Sequence, residues 1–445
     1  MSTYCLIYFQ LTVIAFRNVI KNWRHSLSTL LAISCGFVAI SIFDGYLKNF
    51  RDNVKDTFTS AIMMGHVIIQ KKDAEEKKGH NEWLYSLDSN DQNFLEEFLK
   101  NDPDVAARIR FLNISGILNS GRNNPYFKGY GYDIMEGLKF RGDRWGWNVI
   151  AGAPLHMAEN HSIVLGGGLA RSIDCNYPDS EKLAIGDKNF LSRDRPFNCP
   201  SKRVTLSVTT EFSQVNATQF PVSGITNGFM ADSDKHMINI SLEDAWRLMD
   251  TKKISMVTVL LKSEDQIPSF IRRASEAAVS RGLKLDIARS STHRLASYMI
   301  GAMKFLTLFR GVFMVILLTI GVMSVVNTMA KAVNERIREI GILRSLGFFR
   351  RHLIFMFSLE GSFLSLIACA FGLVATITLC EFIKYVGFKY DAGIMAHPVI
   401  LNIAYAPWAW AFSVILFSIL ATGSAWFCSR KACYMVVAEA MRHVE

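Results

Sequence analysis

Residues 311–330 read GVFMVILLTIGVMSVVNTMA, without one charged side chain. An α-helix needs about 20 mostly apolar residues to cross the hydrocarbon core of a bilayer. A core helix of a water-soluble domain is shorter and keeps a polar face, which this run lacks. Three further stretches share its character. In 27–47 Asp44 is the only ionised residue, 353–380 is interrupted only by Glu360, and 399–428 is uncharged, with Pro407 marking its start or a kink. The expected fold class is an integral membrane α-helical protein of four transmembrane helices. Only 20% of the 445 residues are charged and 50% are hydrophobic, against about 25% charged in soluble domains.

Orientation follows from lysine and arginine in the short flanks. Arg17, Lys21 and Arg24 precede the first span. Lys331, Arg336, Arg338, Arg344, Arg350 and Arg351 lie between the second and third, and Arg430 and Lys431 follow the fourth. The segment 381–398 has only Lys384 and Lys389, balanced by Glu381 and Asp391. The expected layout is an amphipathic cytoplasmic segment 1–26, a span at 27–47, an outer domain 48–304, and a stalk end and span at 305–330. A cytoplasmic loop 331–352, a span at 353–380, a short outer loop 381–398, a span at 399–428 and a cytoplasmic tail 429–445 complete it. The first span is too long, and lacks the cleavage site, for a signal peptide. This topology accounts for much of the formal net charge of +10, and no aromatic-and-basic patch points to nucleic acid.

The outer segment reads as a large α/β domain. A strand near 65–70, a helix near 91–100 and an extended run 105–118 recur as a strand 256–261, a helix 267–280 and an extended run 283–288. Two β-α-β units thus bracket a β-rich insert at about 120–232. Ser241-Leu242-Glu243-Asp244 has the form of a helix-start capping box. A helix from about Ser291 is expected to run on into the second span as a stalk. Cys175 and Cys199 are the only cysteines in this segment, and a pair in an oxidising compartment is expected to be bridged.

The sequence holds little that points to catalytic chemistry. There is no G-x-x-x-x-G-K-[ST] phosphate loop and no G-x-S-x-G elbow. Gly166-Gly167-Gly168 looks like an anion cradle but reads better as a turn before a helix. His156 and His161 lack the spacing and the third ligand of a zinc site. No catalytic, cofactor-binding or metal-ligating residue is assigned. Intramembrane carboxylates need partners or an interfacial position. Asp44, near the outer end of its span, is expected to reach the surface, and Glu360 to pair with a basic or polar group near the cytoplasmic face.

The most informative stretch is the cytoplasmic loop. It holds Glu335, Arg336, Ile337, Arg338, Glu339, Ile340, Gly341, Leu343 and Arg344, ending at Gly347. Ile337, Ile340 and Leu343 fall on one side of a short helix, which Gly347 would terminate. A short amphipathic helix of mixed charge suits docking into a groove on another protein.

Glu335 to Gly347, with Glu360 in the next span, resembles the signature of permeases in the MacB/FtsX/LolCE superfamily of ABC transporters. Ile163-Val164-Leu165-Gly166 with Gly168-Leu169-Ala170, Ile185-Gly186-Asp187, Val222-Ser223-Gly224-Ile225 and Ile238 to Ala245 are similar to the family's outer-domain pattern. The layout is closest to the lipoprotein-releasing LolC/LolE branch. The segment 174–200 departs from the pattern, being longer and more polar. The resemblance implies an outer domain made of a Porter-like subdomain with a β-rich Sabre-like insert. It also implies a transport permease that is not itself an enzyme and binds no cofactor, with ATP and magnesium used by a cytoplasmic ABC ATPase dimer. The other implied partners are a second permease (homo- or heterodimer), a periplasmic carrier or adaptor, and membrane lipid. The implied location is the bacterial inner membrane, multi-pass, with both termini cytoplasmic, and the loop residues 335–347 would couple to the ATPase. Outer-domain movement driven by ATP hydrolysis would extract or export lipoproteins or other amphiphilic cargo. The alternative is an FtsX-like signalling module that relays ATPase motion to a cell-wall hydrolase regulator.

Overall fold

The computed structural model describes residues 2–21, 23–76, 82–177, 184–185, 191, 195–345, 347–391, 393 and 395–434. The chain divides into two compact units, one of residues 1–51, 303–387 and 402–445 and the other of residues 52–302 and 388–401.

Four helical segments are long and apolar enough to cross a membrane: Ser26–Ala61, Ile300–Glu335, Arg350–Val386 and Pro407–Arg430. The fourth begins at Pro407 rather than at 399. Pro407 has the fixed φ that suits a first helical position, and the β-branched Val399–Ile400 pair antiparallel with Lys389–Tyr390 instead. The helix containing the second span starts at Ser297, after two 3₁₀ turns at Ser290–Thr292 and Arg294–Ala296, rather than at Ser291. It then runs unbroken to Glu335, roughly 58 Å at 1.5 Å per residue. Gly387, with φ 62°, closes the third-span helix in the left-handed conformation that glycine adopts without strain.

In the membrane unit, Ile33 and Phe37 of the first span meet Val325 and Met329 of the second, Leu364 and Ala368 of the third, and Phe417, Ala421 and Ala425 of the fourth. Lipid is as apolar as these side chains, so close packing rather than water exclusion holds such helices together. Gly361 makes that approach possible, since a Cβ there would lie 2.6 Å from Ala425 Cβ. A second buried cluster joins Leu11 and Ala15 of the helix Ser2–Lys21 to Val333, Ile340, Leu353, Met356 and Phe357.

Among the described residues the other unit contains, besides the short Lys389–Tyr390 and Val399–Ile400 pair, ten strands: β1 (Val67–Lys71), β2 (Val105–Asn119), β3 (Tyr126–Tyr132), β4 (Val149–Gly152), β5 (Ile163–Gly166), β6 (Arg203–Thr209), β7 (Val215–Thr226), β8 (Met237–Ser241), β9 (Met256–Leu261) and β10 (Leu285–Arg289). Helix Ser89–Asn101 connects β1 to β2, and helix Ile267–Ser280 connects β9 to β10. The four strands lie in the order β10-β1-β9-β2, each antiparallel to its neighbour. Each β-α-β unit therefore straddles a strand of the other, the interlocked split arrangement. Leu95, Leu99, Phe270, Ala274 and Ala278 on the two helices share a buried cluster with Val67, Ile69, Val257 and Val259. Asp88 starts the first helix by accepting from the Asn90 and Asp91 backbone N–H groups at 2.9 and 3.0 Å.

β2 serves two parts of the sheet. Its residues Val105–Phe111 pair with β9, while Gly116–Asn119 pair with β6. From β2 the pairings run to β3, β8, β5, β7 and β6 and return to β2, closing a cycle, with β4 added on β7. The insert thus continues the β-α-β layer as one ten-stranded sheet.

Candidate functional site

The loop between the second and third spans forms a helix, Ile337–Ser345. Its apolar side is turned onto the chain itself, which corrects the expectation that this face is left open for a partner. Ile340 is 4% exposed and sits with Leu11, Val333, Leu353 and Phe357, and Leu343 packs partly buried against the same cluster. Ile337 and Gly341 are buried as well. The reason is that the helix Ser2–Lys21, the end of the second-span helix and the start of the third-span helix all contribute apolar side chains to the same cluster, which the loop helix closes. Arg338, Ile342, Phe348 and Phe349 remain exposed, so the surface offered outward is basic and aromatic. Glu335 ends the preceding helix, 3.9 Å from Lys331. Arg344 donates to the Cys433 carbonyl at 3.4 Å. Gly347 has φ 95° just past the helix, as a C-terminal glycine should. The side chain of Glu339, and Leu346, lie outside the described residues.

Both intramembrane carboxylates are paired. Glu360, 4% exposed, accepts from Asn18 Nδ2 at 2.6 Å and from Arg336 Nη1 at 3.3 Å. Arg336 occupies the turn between the helices Ser297–Glu335 and Ile337–Ser345, so this charge links the loop to the third span. Beside the pair opens a cavity of about 340 Å³, lined by Ser26, Asn327, Thr328 and Lys331 as well as by the pair itself. Asp44 does not reach the surface as expected. It is 6% exposed and accepts from Arg310 through both carboxylate oxygens. Burial of an unpaired carboxylate would be costly, and Arg310, the last charge before the uncharged run, meets it. Sequence reading missed Arg310 and Asn18. The signal for the first was the need of Asp44 for a partner.

In the α/β unit the glycine run leads from β5 directly into the helix Gly167–Ser172, in line with its reading as a turn before a helix, and its N–H groups cradle a carboxylate of the chain itself. Gly167 N–H and Gly168 N–H donate to the Asp234 carboxylate at 3.0 and 2.5 Å, and Gly228 N–H donates at 2.8 Å. Asp234 is 1% exposed, so the donors are filled by the chain. Burial pushes the nearby Tyr177 hydroxyl above its usual range. Cys175 and Cys199 are joined by a disulfide. His161 lies 2.5 Å from Asp244, whose backbone N–H caps onto Ser241. Among the described residues no group of three or more His, Cys, Asp or Glu side chains could hold a metal.

Residues 311–437 match the FtsX-like permease C-terminal family. The match takes in most of the second span, the loop helix, and the third and fourth spans. The chain is 24% identical over 296 residues to the uncharacterized ABC transporter permease MJ1507 of Methanocaldococcus jannaschii, covering 66% of this chain and 61% of that protein. It is 29% identical over 162 residues to the macrolide export ATP-binding/permease protein MacB of Brucella abortus, covering 36% of this chain and 24% of that protein. The chain thus spans less than two thirds of the length of either relative. Among solved structures it is similar to the extracellular domain of the noncanonic ABC-type transporter YknZ from Gram-positive bacteria, at 13% identity over 50% of this chain and 98% of that one, with a TM-score of 0.32. It is similar also to the periplasmic region of MacB from Actinobacillus actinomycetemcomitans, at 13% identity over 55% of this chain and 95% of that one, with a TM-score of 0.33.

Proposed function

We propose that this chain, whose residues 311–437 form an FtsX-like permease C-terminal domain, is the membrane subunit of an ABC transporter of the MacB/FtsX type. A separate cytoplasmic ATPase dimer binds and hydrolyses ATP with magnesium. The permease converts that cycle into movement of its α/β domain on the outer face of the bacterial inner membrane. Amphiphilic molecules, lipoproteins among them, are the cargo. The observation that carries the reading is the family match, because it falls on the segment where the loop helix is tied by Arg336 to Glu360 of the third span.

Coupling in this scheme starts at the outward surface of the loop, at Arg338, Phe348 and Phe349. The apolar side of the loop helix transmits the push, since close-packed interiors pass on displacement rather than absorb it. The second span has free surface for another permease: 6% of its most apolar window is buried, against 39% in the first and third spans and 28% in the fourth. A second copy or lipid covers the remainder.

Purification of the full chain from its native membranes tests the proposal. An ABC ATPase is expected to accompany it, and the complex to hydrolyse ATP. Arg338→Glu combined with Phe349→Asp should release that ATPase while leaving the permease's melting temperature unchanged. A complex that keeps its ATPase and full hydrolysis in the double variant would overturn the coupling surface. Recovery of the permease with no ATPase under any mild solubilisation would overturn the assignment.

A further inference from the structure

A cavity of about 540 Å³ lies within the α/β unit, inside the 300–1,000 Å³ range of small-molecule sites. Much of its wall is apolar, including Phe58, Met63, Met64, Phe111, Phe229 and Met237. Methionine side chains are flexible and adapt to ligands of irregular shape.

Two amides stand in that wall. Val149 of β4 pairs with Thr226 of β7, which places Asn148 and Asn227 opposite one another where the ladder runs out. Thr226 Oγ1 donates to the Asn148 carbonyl at 2.7 Å and fixes the junction. Asn227 is 3% exposed, and its Oδ1 accepts from the Phe229 N–H at 2.9 Å. That bond sets the orientation of the amide and leaves Nδ2 as a buried donor with no partner among the described residues. Asn148 Oδ1 is likewise a buried acceptor with no partner there. Buried polar atoms are rarely left so.

Backbone strain collects at the same place. Met63 and Phe229 have φ of 64° and 59°, a left-handed conformation that bulky side chains seldom adopt. Such strain is found where a site needs a side chain held in one position. Charge gives little preference. Arg141 is engaged with the Tyr132 hydroxyl at 3.1 Å and the Ala61 carbonyl, and the exposed Lys128 and Asp232 oppose each other in sign.

We propose that this cavity binds a neutral amphiphile with an apolar body and one secondary amide, whose carbonyl accepts from Asn227 Nδ2 and whose N–H donates to Asn148 Oδ1 once the side chains that enclose the two atoms give way. The proposal gives a ligand class to the α/β domain of the permease and in that sense rests on the transport reading. Binding is nonetheless measurable without the ATPase, so failure of one leaves the other standing.

The test uses the full chain in lipid nanodiscs and a long-chain N-methyl alkanamide bearing a diazirine. Saturable crosslinks are expected on peptides containing Met63 and Met64, or Phe229 and Met237. The matching methyl ester, which lacks the N–H, should label roughly tenfold less, as hydrogen-bonding sites discriminate against analogues that leave a buried partner unmet. Asn227→Asp keeps the acceptor of the Phe229 N–H and removes the donor. It and Asn148→Leu should each reduce amide labelling by about the same factor. If either variant melts lower than the parent, the amide–ester comparison, which needs no variant, decides. Equal labelling by amide and ester, or labelling confined to the membrane spans, would overturn the proposal.

Discussion

Arg336 Nη1 lies 3.3 Å from Glu360 Oε1, with side chains 18% and 5% exposed. Removing one partner of a buried ion pair is destabilising by about 3–5 kcal/mol, whereas replacing both with apolar residues is close to neutral. Glu360→Gln and Arg336→Met are therefore each expected to lower the melting temperature of the purified chain. The double variant Arg336→Met/Glu360→Met should recover most of the loss. Losses that simply add in the double variant would mean that the two charges do not act together.

Ile340 and Ile342 stand on opposite sides of the loop helix, 4% and 45% exposed. Truncating a buried isoleucine to alanine is destabilising by about 2–5 kcal/mol, while exposed sites usually stay within about 0.5 kcal/mol. Ile340→Ala should thus unfold at clearly lower denaturant than the parent, and Ile342→Ala at the same concentration. A helix that presents Ile340 to a partner would give the reverse: a stable permease that no longer binds its ATPase.

The Cys175–Cys199 disulfide spans a sequence separation of 24. Closing a loop of about that length stabilises by roughly 3 kcal/mol in the chain-entropy model. Reductant should shift the unfolding of the α/β unit to lower denaturant, and non-reducing peptide maps should recover the two cysteines on one linked pair. Two free thiols in protein taken from an oxidising compartment would contradict this.

Acid should weaken the α/β unit through His66. Burial holds its imidazole below the usual histidine range, against an upward pull from Glu264. Its Nδ1 also accepts from the Leu261 N–H at 3.1 Å, a role that suits the neutral ring. The unfolded chain therefore takes up the proton first, near its ordinary value of about 6.5. Stability falls as pH drops through that value toward the lower folded one. Glu264, held down by the hydrogen bond from Lys55, loses its own contribution at still lower pH. His66→Gln should flatten the decline between neutrality and about pH 5. An unchanged slope in urea titrations across that interval would place the acid sensitivity elsewhere.

The spans are legible in the sequence because a bilayer constrains length and polarity at once, and a run such as 311–330 has few other homes. The β-α-β patterns are legible for a similar reason, since periodicity changes from two to 3.6 where a strand gives way to a helix. What periodicity does not specify is who neighbours whom. Arg310 meets Asp44 from 266 positions away, and Asp234 fills the glycine cradle from 66 and 67 positions downstream. The interval of Ile337, Ile340 and Leu343 identifies a face but not what it meets, a cluster that draws Leu11 from the first helix, Val333 from the second-span helix and Leu353, Met356 and Phe357 from the third. Strand order is hidden for the same reason, as nothing local places β9 between β1 and β2.

The pairing of β2 with β9 has a consequence for the history of such a chain. Phe111 and Met256 are register partners in adjacent antiparallel strands, the relation that the two arms of a hairpin have. Everything between β2 and β9 thus occupies the position of a turn. A turn can be exchanged or enlarged at small entropic expense, because closure entropy grows only with the logarithm of loop length. The interlocked four-strand layer can accordingly stay constant while the material hung on that hairpin is replaced, and descendants of one ancestor can acquire different outer surfaces without rebuilding the layer that carries them.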